Sequence, residues 1–219
     1  MAETPDHDAS FHDDWQHPTP AMLCQAYAHG VFPMFHPEED VLAWYSPDPR
    51  AVIPLETFHV PRTLGREVRK QPFQIRSDTA FELVMRACAD SRPGRESTWI
   101  NQELIDLYVA LHQAGAAHSV EAWLGDELVG GLYGVQLGGA YFGESMFSQP
   151  EKGGTNASKI CLVHLVHWLR LRGFTLLDTQ FTTPHLERFG CTEIPRFSYL
   201  EQLDCALERP VSWGTFESM

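Results

Sequence analysis

Long apolar runs, paired cysteines, internal repeats and a surplus of positive charge are all missing from this sequence. No uninterrupted apolar stretch approaches the roughly 20 residues that a membrane-spanning helix needs. The first twenty residues carry five acids and no Lys or Arg, where a secretory leader would need a positive stretch and then an apolar one, so no leader is expected. The five cysteines, Cys24, Cys88, Cys161, Cys191 and Cys205, are odd in number and scattered, with no spacing suited to zinc or a redox disulfide. A reducing cytoplasm is the compartment that fits. Sixteen Lys and Arg against 29 Asp and Glu give a formal charge of −13, which excludes a chain coated in nucleic acid but leaves room for local basic patches. The eleven histidines include His164 and His167 on one helical face, yet no nearby acid or Cys completes a ligand set, and no metal is expected.

What remains is 219 residues with 43% hydrophobic content, enough for a real core in one large domain or two modest ones. Residues 1–19 read as a flexible acidic arm, 20–90 as a small mixed N-terminal domain, 91–208 as a more regular domain, and 209–219 as a tail. In the N-terminal part, Met22, Leu23, Ala26 and Tyr27 have helical spacing from Pro20 to His29, with Thr19 as N-cap and Gly30 as the stop. Val31 to Phe35 reads as an apolar loop, Trp44 to Arg50 as a proline-braced turn, and Ala51 to Leu55 as a short strand. Helices are expected over 78–89 and 101–114, with a polar loop over 91–97 between them. Beyond Gly115 the period changes: 118–124, 128–136 and 140–147 predict an antiparallel meander, followed by a long apolar helix over 156–172 that stops at Gly173. A returning strand over 174–181 and helices over 184–189 and 197–207 complete an α+β sheet with helices on its faces.

Two acids stand out inside apolar strands. Ala140-Tyr141-Phe142-Gly143-Glu144-Ser145-Met146-Phe147 holds Glu144, and Leu176-Leu177-Asp178-Thr179-Gln180 holds Asp178. A carboxylate in such company is costly to bury without a partner. Strand alternation predicts that Asp178 and Gln180 face one side while Thr179 points away, and Glu144 meets them if the strands are adjacent. The bland alternative is that Asp178 caps a neighbouring helix or pairs with Lys159. Gly143-Glu144-Ser145-Met146-Phe147 puts Phe where the second glycine of a serine-hydrolase turn belongs, which excludes that chemistry. A two-carboxylate glycosidase stays formally open. Two acids and an amide suit a cationic amine: they attract it, orient it and accept a hydrogen bond as it attacks an acyl group.

Leu162, Leu165 and Leu169 form one stripe of the long helix and, with Leu132, Tyr141 and Leu177, offer walls for an apolar side chain, although such a stripe is more often plain core. The segment Arg62 to Arg76 inverts the acidity of the chain, with Arg62, Arg66, Arg69, Lys70 and Arg76 against Glu67. If Arg62 to Lys70 is helical, four cations share one face, either solvated or contacting phosphates. The loop from Gln149 to Ala157 feeds a helix N-terminus, a loose echo of the acyl-CoA loop of acetyltransferases.

The chain resembles the bacterial leucyl/phenylalanyl-tRNA-protein transferases. The likeness is carried, in one order over residues 20–200, by Trp44-Tyr45-Ser46-Pro47-Asp48-Pro49-Arg50, Thr98-Trp99-Ile100, His118-Ser119-Val120-Glu121, Gly130-Gly131-Leu132-Tyr133-Gly134, Gly143-Glu144-Ser145-Met146-Phe147, Asn156-Ala157-Ser158-Lys159 and Asp178-Thr179-Gln180. The resemblance implies an acetyltransferase-like (GNAT) fold for the C-terminal domain, and transfer of Leu or Phe, and of Met as a further candidate, from aminoacyl-tRNA to an N-terminal Arg or Lys. That product marks a protein for the N-end-rule protease. It implies no metal or coenzyme, and neither DNA nor membrane as a partner. By the same resemblance Asp178 and Gln180 match the catalytic pair, and Glu144 the acid that faces the cationic acceptor. Leu132, Tyr141, Leu162, Leu165, Leu169 and Leu177 match the amino-acid pocket, and Tyr27, Trp99 and Tyr108 surround the terminal adenosine. Met34 joins them, in a position where some relatives carry Trp. The basic segment Arg62 to Arg76 matches the acceptor-stem contact. Two rival classes remain on the residues alone: an N-acetyltransferase using acetyl-CoA, and a non-catalytic tRNA-binding module.

Overall fold

The computed structural model describes residues 13–90 and 98–219. The loop expected at 91–97 and most of the expected acidic arm lie outside the described residues. Helix α1 spans Pro20–Ala28, and Thr19 caps it as its composition predicts, its hydroxyl accepting the Met22 N–H at 3.3 Å. The expected apolar loop is instead strand β1 (Phe32–His36), paired antiparallel with β2 (Val41–Tyr45) in a separate two-stranded ribbon. Pro33 interrupts the strand signal there, but a two-stranded edge tolerates a residue without an N–H.

Strand β3 (Arg50–Val52) follows the cis Asp48–Pro49 peptide, and helix α2 covers Arg62–Val68. Strand β4 (Gln74–Ser77) and helix α3 (Phe81–Ala89) come next. The helix begins three residues later than expected, because Asp78 has φ +59° and spends its carboxylate on the His118 ring and the Ser119 N–H, each at 2.8 Å. Helix α4 (Gln102–Gln113) is capped by Asn101, which accepts the Leu104 N–H at 2.9 Å.

The meander forms within two residues of the predicted bounds as β5 (Ala117–Leu124), β6 (Glu127–Leu137) and β7 (Ala140–Ser148). Helix α5 (Ala157–Arg172) ends at Gly173, whose φ of +83° is the left-handed stop that glycine adopts freely. Strand β8 (Leu176–Gln180), helix α6 (Pro184–Glu187), strand β9 (Thr192–Ile194) and helix α7 (Arg196–Leu207) finish the fold.

Seven strands form one mixed sheet in the order β4-β5-β6-β7-β8-β3-β9, with β7 and β8 parallel and every other neighbouring pair antiparallel. The sheet takes β3 and β4 from the N-terminal side of the boundary expected near residue 90. Alternation sends Tyr133, Phe142 and Leu176 into a core with α1, α3, α4 and α7, and Leu132, Tyr141 and Leu177 into a second core under α5. Trp213 is buried in that second core, and its ring N–H reaches Ser77 Oγ at 3.1 Å. No helix among the described residues is long and apolar enough to cross a membrane.

Candidate active site

Strands β7 and β8 bond to each other only from Ala140 to Phe142 and from Leu176 to Asp178. Past those pairs a cavity of about 350 Å³ lies between them, walled by the later residues of both strands and by α5. Leu132, Leu162, Leu165, Leu177 and Met146 make its apolar wall, Phe32, Met34, Trp99 and Phe181 line it as well, and Glu144 and Gln180 bring the polar groups.

Glu144 reaches the cavity through a bulge. Tyr133 stands opposite Ser145 and Gly134 opposite Gly143, so Glu144 is the extra residue of β7, and a bulge of this kind re-aims a side chain. The bulge requires glycine opposite it, since a Cβ on Gly134 would sit 2.2 Å from the Phe142 carbonyl oxygen. Glu144 accepts from the Tyr108 hydroxyl at 3.2 Å and from the Gln180 carboxamide at 3.3 Å. Tyr27 meets Tyr108 hydroxyl to hydroxyl at 2.5 Å, and with Tyr108 donating to Glu144 it is Tyr27 that donates to Tyr108. Burial pushes the Glu144 carboxyl up to about 7, with Asp178 adding to the rise and the Tyr27 and Tyr108 hydroxyls and Arg50 opposing it.

Asp178 is fully buried and has no share in the cavity wall. Its partner is neither Lys159 nor a helix end but Arg50, which donates Nε to Oδ1 at 2.9 Å and Nη2 to Oδ2 at 2.7 Å. Tyr199 donates its hydroxyl to Oδ2 at 2.7 Å, and the Gln180 N–H reaches Oδ1 at 2.8 Å, so both carboxylate oxygens are doubly engaged. Arg50 is itself 1% exposed, gives its remaining nitrogen Nη1 to the Gly30 carbonyl at 2.9 Å, and lies between the rings of Phe32 and Tyr199 at 4.7 and 4.6 Å. Burial opposes its charge, but Asp178 outweighs that and holds the guanidinium above its ordinary pKa. Lys159 instead bonds Asn156 Oδ1 at 2.7 Å.

The simple alternation expected for Asp178, Thr179 and Gln180 fails at its last step. Gln180 has φ +60°, and the β3–β8 register shifts between Ala51 and Val52. As a result Thr179 and Gln180 both line the cavity while Asp178 points into the opposite core, holding the Gln180 backbone from behind.

Among the pocket residues expected from the sequence, Leu132, Leu162, Leu165 and Leu177 line the cavity, and Tyr141 and Leu169 do not. Tyr141 is sealed in the second core, its hydroxyl on the His118 carbonyl at 3.0 Å and its ring stacked on Trp213, and Leu169 is fully buried there as well. Trp99 and Met34 do line the cavity. Tyr27 and Tyr108 are closed off, with Tyr27 tilted against Phe142 and Tyr108 edge-on to Tyr133, so their rings offer no free face for a base.

The basic segment divides. Arg62 and Arg66 lie on α2, Arg69 caps its end, Lys70 follows in a turn, and all four are exposed. Arg76 belongs to β4 and is half-buried, with its guanidinium on Gln74 at 2.6 Å and over the Trp123 ring at 4.7 Å. Sequence reasoning missed Arg50, Tyr199, Phe32, Phe181 and Tyr133. For Arg50 a signal was present, since a lone cation at the head of an apolar strand raises the same question of a partner as Asp178 does. Asp78, His112 and His118 bring ligand-type atoms within 4.8 Å of one another, but His118 already bonds Asp78, and His112 the Ala117 carbonyl at 2.8 Å.

A mixed sheet that parts at a parallel pair, with an apolar cavity in the gap and a carboxylate and a carboxamide at its edge, is an α+β layout with room for an apolar group beside polar ones. Residues 52–204 match the leucyl/phenylalanyl-tRNA protein transferase family, and residues 17–48 match the N-terminal domain of the same family. The leucyl/phenylalanyl-tRNA–protein transferase of Phenylobacterium zucineum is 56% identical over 192 residues, covering 87% of this chain and 85% of the relative. That of Salinibacter ruber is 51% identical over 195 residues, covering 89% and 83%. The chain belongs to the leucyl/phenylalanyl-tRNA protein transferase family. Among solved structures, a GNAT-family acetyltransferase from Desulfovibrio desulfuricans overlays with a TM-score of 0.35 at 23% identity, covering 48% of this chain and 70% of that one. L-PGS from Bacillus licheniformis gives 0.41 at 14% identity, covering 76% and 55%. Overlays this loose carry no part of the assignment.

Proposed function

We propose that this protein transfers Leu or Phe from aminoacyl-tRNA to the α-amino group of an acceptor protein whose first residue is Arg or Lys. The observation that carries the reading is the cavity of about 350 Å³, leucine-walled, with Glu144 and Gln180 bonded to each other at its edge. An apolar side chain of the donor fills the leucine-lined end, which places its ester carbonyl beside the two polar groups. Glu144 supplies negative charge for the cationic first residue of the acceptor. Gln180 gives its amide N–H to Glu144, which leaves its carbonyl oxygen to accept a hydrogen bond from the attacking amine.

The amine nitrogen bonds to the ester carbon, the bond from that carbon to the ribose oxygen breaks, and the proton lost by the amine ends on the released ribose hydroxyl. About a tenth of an α-amino group with a pKa near 8 is already neutral at pH 7, so positioning contributes much of the acceleration. In this scheme Asp178 and Arg50 are positioning residues: they set the Gln180 backbone and touch no substrate.

The test is incubation with labelled Leu-tRNA and a peptide beginning with Arg. Label on the peptide is the expected result. No transfer, together with acetylation from acetyl-CoA, overturns the reading in favour of an acetyltransferase.

The four exposed cations at α2 suit the backbone of the tRNA acceptor stem. Replacing Arg66 and Arg69 together by Ala is expected to weaken tRNA binding and to flatten the plot of log affinity against log salt by about two phosphate contacts. Equal affinities for the parent and the double variant across several salt concentrations would refute this.

A further inference from the structure

A second, smaller cavity of about 100 Å³ adjoins the first, between α2, the first turn of α5 and α6. His185 lines both. The smaller cavity is lined by Lys159, His185 and Arg188 together with Thr63, Glu67 and Asn156, and Lys159 bonds Asn156 Oδ1 at 2.7 Å. The Nε2 atom of His185 is buried and has no hydrogen-bond partner. Its own burial, with Lys159 and Arg188 close by, disfavours protonation of the ring. Among the described residues neither Lys159 nor Arg188 forms an ion pair, and Glu67, the one carboxylate on these walls, accepts from the Asn156 amide at 2.8 Å.

Two cations and an unsatisfied imidazole therefore share one small recess. Glu67 offsets one of the two cations, and an anion with several acceptor oxygens offsets the other and meets the unmet hydrogen bond of His185. We infer that this recess is a phosphate subsite, and that it takes the phosphodiester on the 5′ side of the donor's terminal adenosine. The inference rests on the proposed function: the recess shares His185 with the main cavity, and the exposed Arg62 and Arg66 stand on the same helix as its Thr63 and Glu67.

Two minimal donors isolate that one group: leucyl-adenosine esterified at the 3′ hydroxyl, and the same ester carrying a 5′-monophosphate. Transfer to the Arg peptide is measured for the parent and for the double variant Lys159→Ala/Arg188→Ala, with Leu-tRNA in parallel. For the parent, the 5′-phosphate is expected to lower KM about tenfold, the scale of a charge-assisted hydrogen bond. The double variant is expected to lose most of that gain while using the unphosphorylated ester as the parent does, a control that also shows it is folded. The subsite is overturned if the parent treats the two esters alike, or if the double variant loses both equally. It is equally overturned if coenzyme A or inorganic phosphate competes through these residues while the 5′-phosphate brings no gain, since the recess then serves free anions. Transfer from Leu-tRNA without a 5′-phosphate effect sinks the subsite alone, whereas no transfer from Leu-tRNA sinks the proposed function with it.

Discussion

Asp178→Ala is expected to destabilise the fold by about 3–5 kcal/mol, because it leaves the Arg50 guanidinium buried with no counter-charge. Arg50 is 1% exposed and gives two of its hydrogen bonds to the Asp178 carboxylate, which is 0% exposed. Removing the acid also strands the Tyr199 hydroxyl and the Gln180 N–H. For a marginally stable chain such a loss is a large part of the total. Chemical denaturation reads it as a lower midpoint, and activity measured on the remaining folded fraction falls in turnover more than in tRNA affinity. The double replacement Arg50→Met/Asp178→Leu separates stability from chemistry. Removing both charges in favour of packed apolar groups is often neutral or stabilising, so the midpoint is expected to recover well above that of Asp178→Ala. Transfer is expected to stay low, since the acceptor that holds Gln180 at φ +60° is gone. A double variant as unstable as the single one, or one that transfers as the parent does, would show that the ion pair does not fix Gln180.

That pair also marks the limit of what the chain discloses by itself. The meander, the leucine stripe of α5 and its glycine stop follow from local period and turn chemistry, and they form where they were expected. Leu162 and Leu165 face the cavity while Leu169, one turn further along the same stripe, is sealed in the core, because a helical stripe fixes a face and not the depth at which a cavity ends. Strands β4 and β9, of four and three residues, are too short to show a period and exist because longer neighbours offer them an edge. Glu144 was visible as an anomaly, but the bulge that aims it depends on Gly134 of a different strand. Arg50 and Asp178 are 128 residues apart, and nothing local to either names the other. Tyr27 and Tyr108 drew attention as aromatics, and in the structure it is the Tyr108 hydroxyl that reaches Glu144 and the Tyr27 hydroxyl that reaches Tyr108.

The hydroxyl relay from Tyr27 through Tyr108 to Glu144 sets up a pH effect whose sign can be worked out. Burial raises the Glu144 carboxyl from 4.5 to about 7, so between those values the folded chain binds more of this proton than the unfolded chain does. Ionising Glu144 therefore opposes folding. The cost is absent below the unfolded pKa, grows as pH rises through the window, and is complete above about pH 7. At about 1.4 kcal/mol per pKa unit, and reduced because the group is partly open to the cavity, it amounts to about 1–3 kcal/mol. Glu144→Gln is expected to match the parent in stability near pH 4 and to exceed it by that amount near pH 8. The amide fits the same place, since Tyr108 can turn its hydroxyl to accept from the new NH₂ while donating to Tyr27. Function moves the opposite way. In the proposed function the charge that costs stability is the one that meets the cationic acceptor, so the ratio of parent to variant kcat/KM for an Arg peptide is expected to rise with pH through about 7. Taking the ratio cancels the titration of the peptide's own α-amino group, and the KM for Leu-tRNA is expected to be the same in both proteins. A ratio that does not change with pH, or a variant whose KM rises for tRNA and not for the peptide, would remove Glu144 from acceptor recognition.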